Sequence, residues 1–345
     1  MRALTISAHG GTEQLEFRTD IPVPEPTPGT VRVRIEAAAL NHLDVFTLGG
    51  LPGINITPGW VMGGDGCGTV DAVGPEVHSI KEGDRVVINP GISDGTCEFC
   101  QRGEQSLCIR FRLLGEHLPG TLGEYVVVPA VNVLKISDTV PAEIAAAYTL
   151  ATLTAWRMVV TRANVGPGDE VLIWGIGGGV AQAAMRIAKK RGARVWVTSG
   201  NDEKLARAKD LGADETLNHN QVNVGKEIRA RTGKRGVSVV IDSVGQASWD
   251  SSLVALGRAG RLVTCGGTSG AIVQTDVRRL FWNQWTIMGS TMGNQSEFRT
   301  VVDELNAGEL TPVIDSVYDL ASGREAFDRM ATGQQFGKIV VRVAE

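Results

Sequence analysis

No stretch of this 345-residue chain approaches the ~20 consecutive apolar residues that a membrane span needs. Strong charge of either sign is also missing. Its 34 Lys and Arg against 38 Asp and Glu leave a formal net charge of −4, no footing for nucleic acid or an anionic membrane. Internal repeats and low-complexity segments are absent. The opening Met1-Arg2-Ala3-Leu4-Thr5 runs straight into polar residues and does not read as a signal peptide. Cysteine is scarce, five in all, with Cys97, Cys100 and Cys108 tightly clustered. That clustering fits a metal in a reducing compartment better than a disulfide framework. The expectation is a soluble cytoplasmic protein acting on a small molecule, with neither nucleic acid nor membrane among its partners.

Glycine, by contrast, is abundant, and its most telling cluster lies at Val171-Leu172-Ile173-Trp174-Gly175-Ile176-Gly177-Gly178-Gly179-Val180. An apolar run feeds glycines that open into a helical pattern, the order that a strand, a tight turn and a helix N-terminus require. Such a turn cradles a pyrophosphate, because glycine lets backbone approach closely and the helix dipole attracts the anion. Val180, Ala184, Ile187 and Ala188 form one apolar stripe, Lys189, Lys190 and Arg191 gather at its C-terminal end, and Gly192 stops it. Strands are expected at Arg194–Thr198, Val237–Ile241, Arg261–Cys265 and Trp285–Gly289, and helices from Asp202 and over Ser251–Leu256. This alternation predicts a doubly wound parallel sheet, an α/β Rossmann fold.

The first ~130 residues differ. Val31-Arg32-Val33-Arg34-Ile35-Glu36 alternates as a half-buried strand does, and short β runs follow at Gly68–Val73, Arg85–Ile88 and Tyr125–Val128. Prolines and glycines interrupt anything longer. The region reads as all-β and loop-rich, with Gly337–Val343 supplying a strand that returns to it.

Three motifs, Asn41-His42-Leu43-Asp44, Gly63-Gly64-Asp65-Gly66-Cys67-Gly68 and Lys81-Glu82-Gly83-Asp84-Arg85-Val86, together with the glycine-rich half and the closing Gly-Lys-Ile-Val-Val strand, resemble the medium-chain dehydrogenase/reductase family. The resemblance spans essentially the whole chain. It implies a GroES-like catalytic domain over 1–152 with a zinc lobe at 90–110, a Rossmann domain over 153–291, and a return to the catalytic domain over 292–345. By motif matching, the places where zinc-dependent alcohol dehydrogenases hold their catalytic metal are Asn41, Gly64 and Leu150, which lack the roughly three ligands such a zinc needs. The family's second, structural zinc lobe maps to Cys97, Cys100 and Cys108, with Asp94 in place of the first thiolate; carboxylate oxygen is an acceptable zinc ligand. The expectation is one structural Zn²⁺ per chain.

The resemblance places cofactor contacts at Gly175, Gly177, Gly178, Gly179 and Val180, and at His42, Gly266 and Lys338. An NAD-selective fold ends its second strand with an acid that binds the ribose hydroxyls. Here that place is Ser199, with Asn201 and Lys204 close by, so NADP(H) is expected over NAD(H). Candidate groups at the substrate carbonyl are Asn41 and Thr152 as hydrogen-bond donors, with Asp44 and Asp65 orienting them. Relatives of the zinc-free class often carry a tyrosine where this chain has Phe46, which leaves the proton donor unassigned. The reading is an oxidoreductase that reduces an activated C=C or a quinone by hydride transfer. The alternatives are a zinc-type alcohol dehydrogenase and a non-catalytic NADPH-binding protein. An apolar late strand at Trp285–Ser290 implies a homodimer or homotetramer.

Overall fold

The computed structural model describes residues 1–344 and divides them into two compact units: Met1–Leu153 with the segment from Gly293 onward, and Thr154–Met292.

The second unit is built on a six-stranded sheet in which every pairing is parallel. Its spatial order is Glu215–Asn218, Arg194–Ser199, Glu170–Ile173, Val237–Asp242, Leu256–Thr264 and Thr286–Gly289. The first and fourth strands in chain order are neighbours at the centre, so the winding reverses between them, and the carboxyl ends there form the crevice where doubly wound sheets take ligands. Leu172, Trp196, Val240 and Leu262 on the sheet pack with Val224, Ile228 and Leu253 from the helices Val224–Arg231 and Gln246–Ala255. The predicted stripe holds in three of its four residues: the helix Gly179–Lys190 buries Ala184, Ile187 and Ala188, while Val180 at its start is half-buried. Elements that escaped the sequence reading include the polar strand Glu215–Asn218, the helix Val224–Arg231, and the helix Val277–Asn283, which buries no residue.

In the first unit the long strand Thr30–Ala39 is the organising element. Val31, Val33 and Ile35 are fully buried on one face, as the alternation requires. Asp65–Val73, Lys338–Arg342 and Tyr125–Pro129 all pair with it antiparallel. The strands foreseen at Arg85–Ile88 and at the returning segment are present. The region is not purely β: it also contains the helices His42–Gly49, Glu98–Gln101 and Ala142–Ala146. His42–Gly49 begins at Asn41, whose backbone N–H is met by the Asp44 carboxylate three residues on, a reciprocal start that makes a helix possible directly after a strand.

Candidate active site and metal lobe

Register brings the first group of polar residues together. Ala39 lies opposite Asp65 on one side of the long strand and opposite Val340 on the other. Continuing the antiparallel pairing by two residues sets Lys338 across from Asn41, a juxtaposition fixed by the bond from Leu40 N–H to Ile339 C=O. Three adjacent strand ends therefore deliver Asn41, Asp65 and Lys338 to one point. The Lys338 ammonium donates to Asn41 Oδ1 at 2.6 Å and to Asp65 Oδ2 at 2.9 Å, and Asn41 Nδ2 donates to Asp65 Oδ2 at 3.0 Å. The other oxygen, Asp65 Oδ1, accepts from the backbone N–H of Leu150 at 2.7 Å and from Thr149 Oγ1 at 3.0 Å, at the start of the helix Thr149–Trp156.

Asp65 is fully buried and the Lys338 side chain is 4% exposed. A carboxylate at such depth is tolerable only when a counter-charge and hydrogen bonds meet it, and this one receives four. Asn41, expected to donate to substrate, spends its amide inside this network. Lys338, expected at the cofactor, turns its ammonium the same way. Thr152 is buried one turn beyond Thr149 and takes no part. Asp44 is buried too, and that burial pushes its carboxyl up to about 7 despite the bond from Asn41 N–H at 2.7 Å. His42 lies exposed beside them; desolvation and the nearby Lys338 charge both lower its basicity. Gly64 abuts this cluster: a Cβ there would lie 3.4 Å from Leu150 Cδ1 and 3.5 Å from Leu114 C=O.

The metal lobe is local by comparison. Asp94, Cys97, Cys100 and Cys108 hold four candidate ligand atoms within 4.8 Å of one another. Cys97 Sγ and Cys100 Sγ are 3.5 Å apart, close to the edge of a tetrahedron whose Zn–S bonds are about 2.3 Å long. Asp94 Oδ1 accepts from the backbone N–H of Thr96 at 2.9 Å and of Cys97 at 3.0 Å, which holds its carboxyl far below the usual carboxylate range. The backbone N–H groups of Asp94 and Arg110 both approach Cys108 Sγ at 3.3 Å, as amides do toward a thiolate. These residues fit a closed zinc site.

At the dinucleotide crevice, Gly175 adopts φ +70°, a left-handed turn that glycine makes without strain, and its N–H bonds Thr198 Oγ1 at 3.2 Å. Gly178 caps the helix that Gly179 and Val180 begin. Ser199 ends the second strand, 6% exposed, with Oγ accepting from Asn201 N–H at 3.1 Å. Asn201 caps the next helix by accepting from the Lys204 N–H. The nearest acid, Asp202, is bound by Asn218 Nδ2 at 2.7 Å and Gln221 Nε2 at 3.0 Å. His219, to which the sequence reading gave no role, lies beside this turn: its N–H bonds Ser199 C=O, and its ring is 6.1 Å from that of Trp174. Gly266 follows the fifth strand directly after Cys265.

Known proteins agree with this architecture. Residues 27–138 match the alcohol dehydrogenase GroES-like domain, and residues 179–307 match the zinc-binding dehydrogenase family. An NAD-dependent alcohol dehydrogenase of Sulfurisphaera tokodaii is 31% identical over 350 residues, covering 99% of both chains. The human quinone oxidoreductase is 28% identical over 99% of this chain and 97% of its own. The crystal structure of an NAD-dependent alcohol dehydrogenase, 44% identical, matches with a TM-score of 0.94 over the whole of both chains. A Rossmann sheet, a GroES-like unit and relatives matched end to end leave one conclusion: this chain belongs to the medium-chain dehydrogenase/reductase family of oxidoreductases.

Proposed function

We propose that this chain is an NADPH-dependent reductase of activated C=C bonds or quinones, with its zinc confined to the cysteine lobe. The observation that carries this reading is the Asn41–Asp65–Lys338 network. At the family's zinc positions, Gly64 offers no ligand, Leu150 offers only hydrocarbon, and the Asn41 oxygen is already bonded to a cation. A buried ammonium there opposes a second positive charge of any kind. Bound nicotinamide would supply the hydride. An enone or quinone delocalises the resulting negative charge over its own atoms, so it asks less electrostatic help of the protein than an alcohol does.

Lobe residues Asp94, Cys97, Cys100 and Cys108 would hold about one zinc per chain as a structural brace. Gly175, Gly177, Gly178, Gly179 and Val180 would cradle the pyrophosphate, with His42 and Gly266 further along the cofactor. Ser199, Asn201 and Lys204 would take the 2′-phosphate, since Asp202 is held by two amides. A charge-assisted phosphate contact contributes roughly 1.5–3 kcal/mol, about one to two orders of magnitude in affinity. NADPH should therefore bind more tightly than NADH by that factor, and Ser199→Asp should reverse the order. The strand Thr286–Gly289, at the edge of the six-stranded sheet, would pair with a second copy to give a homodimer. The reduced thiols suit the cytoplasm.

An alcohol dehydrogenase is the second reading, favoured by the names of the relatives. Elemental analysis and a substrate screen separate the two. About one zinc per chain and NADPH oxidation by enones or quinones support the reductase. About two zincs with alcohol turnover overturn it.

A further inference from the structure

Leu114, Gly115, Glu116, His117 and Leu118 form a tight turn closed by the bond from Gly115 N–H to Leu118 C=O at 2.7 Å. This turn is pressed onto the missing-ligand position. Gly115, at φ +79°, lies so close to Gly63 that an added Cβ would come within 2.7 Å of the Gly63 carbonyl oxygen, and Leu114 C=O borders the space that a side chain at Gly64 would fill. The Trp60 indole N–H fixes the turn from outside by donating to Gly115 C=O at 2.9 Å.

Glu116 has the chemistry of a group kept for use. Its side chain is only 11% exposed, yet among the described residues nothing donates a hydrogen bond to its carboxyl. His117 Nδ1 stands 3.8 Å away, and that nitrogen accepts from the Leu113 N–H. The tautomer so fixed has no proton on the nitrogen that approaches Glu116. The Glu116 charge also weakly opposes that of Asp44, on the helix His42–Gly49. A carboxylate that is largely buried and without donors is costly; a neutral carboxyl is not. Burial accordingly raises Glu116 above the ordinary glutamate range. The only cation of the neighbouring network, Lys338, is bonded to Asp65 and Asn41.

We propose that Glu116, on the turn packed against Gly63 and Gly64, is the proton donor of the reduction. The inference rests on the reductase reading above. Hydride addition to the β-carbon of an enone breaks the C=C π bond and leaves an enolate. The Glu116 O–H bond then breaks, its proton passes to the enolate, and the carboxylate left behind regains a proton from solvent. For a quinone the same proton goes to the developing phenolate oxygen.

Two measurements test this. In NADPH-driven reduction of an enone or quinone, kcat of the wild type should fall as pH rises through the Glu116 titration. Glu116→Gln should lose roughly 10²–10⁴-fold in kcat and lose that pH limb, while Glu116→Asp should recover part of the rate. Calorimetric NADPH affinity should be unchanged in both. Independently of any substrate, infrared difference spectra taken across neutral pH should show a protonated-carboxyl component that Glu116→Gln removes, leaving the component due to Asp44. Identical spectra, or an unchanged kcat and pH profile in Glu116→Gln, would overturn the proposal. A wild type that turns over only alcohols defeats the reductase reading instead, and the infrared difference still decides whether Glu116 holds a proton.

Discussion

The two polar clusters of the first unit solve opposite electrostatic problems. In the lobe, three sulfur ligands and a carboxylate converge within 4.8 Å of one another, so folding gathers a concentrated demand for positive charge that a bound ion would meet. At Asn41, Asp65 and Lys338 the cation is covalently part of the chain, and the demand is already met. On the reading proposed above, one cluster would recruit a metal and the other would do without one. They differ equally in assembly: the lobe ligands lie along one loop, whereas the Lys338–Asp65 pair joins residues 273 apart in sequence.

Cutting the internal cation should have the largest effect on stability. Lys338→Met leaves Asp65 buried without its counter-charge, a change that typically costs about 3–5 kcal/mol. Urea denaturation should show that loss, and the double variant Asp65→Asn/Lys338→Met should recover much of it. Equal instability of the single and double variants would mean that packing, not charge, is what Lys338 provides. Next comes the recruited cation. Cys100→Ser should drop zinc from about one per chain to near zero and open residues 90–110 to proteolysis. NADPH binding should persist. Loss of NADPH binding together with zinc would break the separation between the two clusters.

A smaller effect follows from Asp44. Its carboxyl is 3.8 in the ordinary state and about 7 in the fold, so the native state holds the proton more tightly than the unfolded chain. Stability tied to this group is therefore fully present below about pH 4 and is lost as pH rises toward 7, roughly 4 kcal/mol as an upper figure. Asp44→Asn keeps an acceptor for the Asn41 N–H but carries no charge. Its stability should be flatter than wild type between pH 4 and 7 in thermal denaturation, and parallel curves would show that Asp44 does not titrate in that range.

Legibility in the sequence followed the same division. Cys97, Cys100 and Cys108 announce themselves because a metal loop encodes its ligands by local spacing. The apolar stripe of Gly179–Lys190 and the alternation in Thr30–Ala39 were readable because each is a periodicity of one element. The strand Glu215–Asn218 was not, since four largely polar residues carry no period. The helix His42–Gly49 did have a signal, the Asn41…Asp44 spacing, overshadowed by the motif's chemical interest. Asp65 and Lys338 were both singled out, but their bond depends on cross-strand register, which a linear reading does not contain. Glu116 had no signal at all, because an acid in a Gly-Glu-His turn looks like ordinary surface until its burial is known.

The 273-residue gap between Asp65 and Lys338 also bears on how the protein is made. A ribosome delivers the long strand Thr30–Ala39 and its partner Asp65–Val73 well before Lys338 exists. During that interval only the Ala37–Ala39 end of that edge is open, and the Asp65 carboxylate has no ammonium to meet it. The intervening residues Thr154–Met292 form a unit of their own and have time to fold first. Arrival of Lys338–Arg342 then closes that end and neutralises the carboxylate in a single event, so the Asn41–Asp65–Lys338 cluster becomes native only after the intervening unit has been made. A nascent chain stalled before Lys338 should be a substrate for chaperones that bind unpaired strand edges, and release should coincide with synthesis of that lysine.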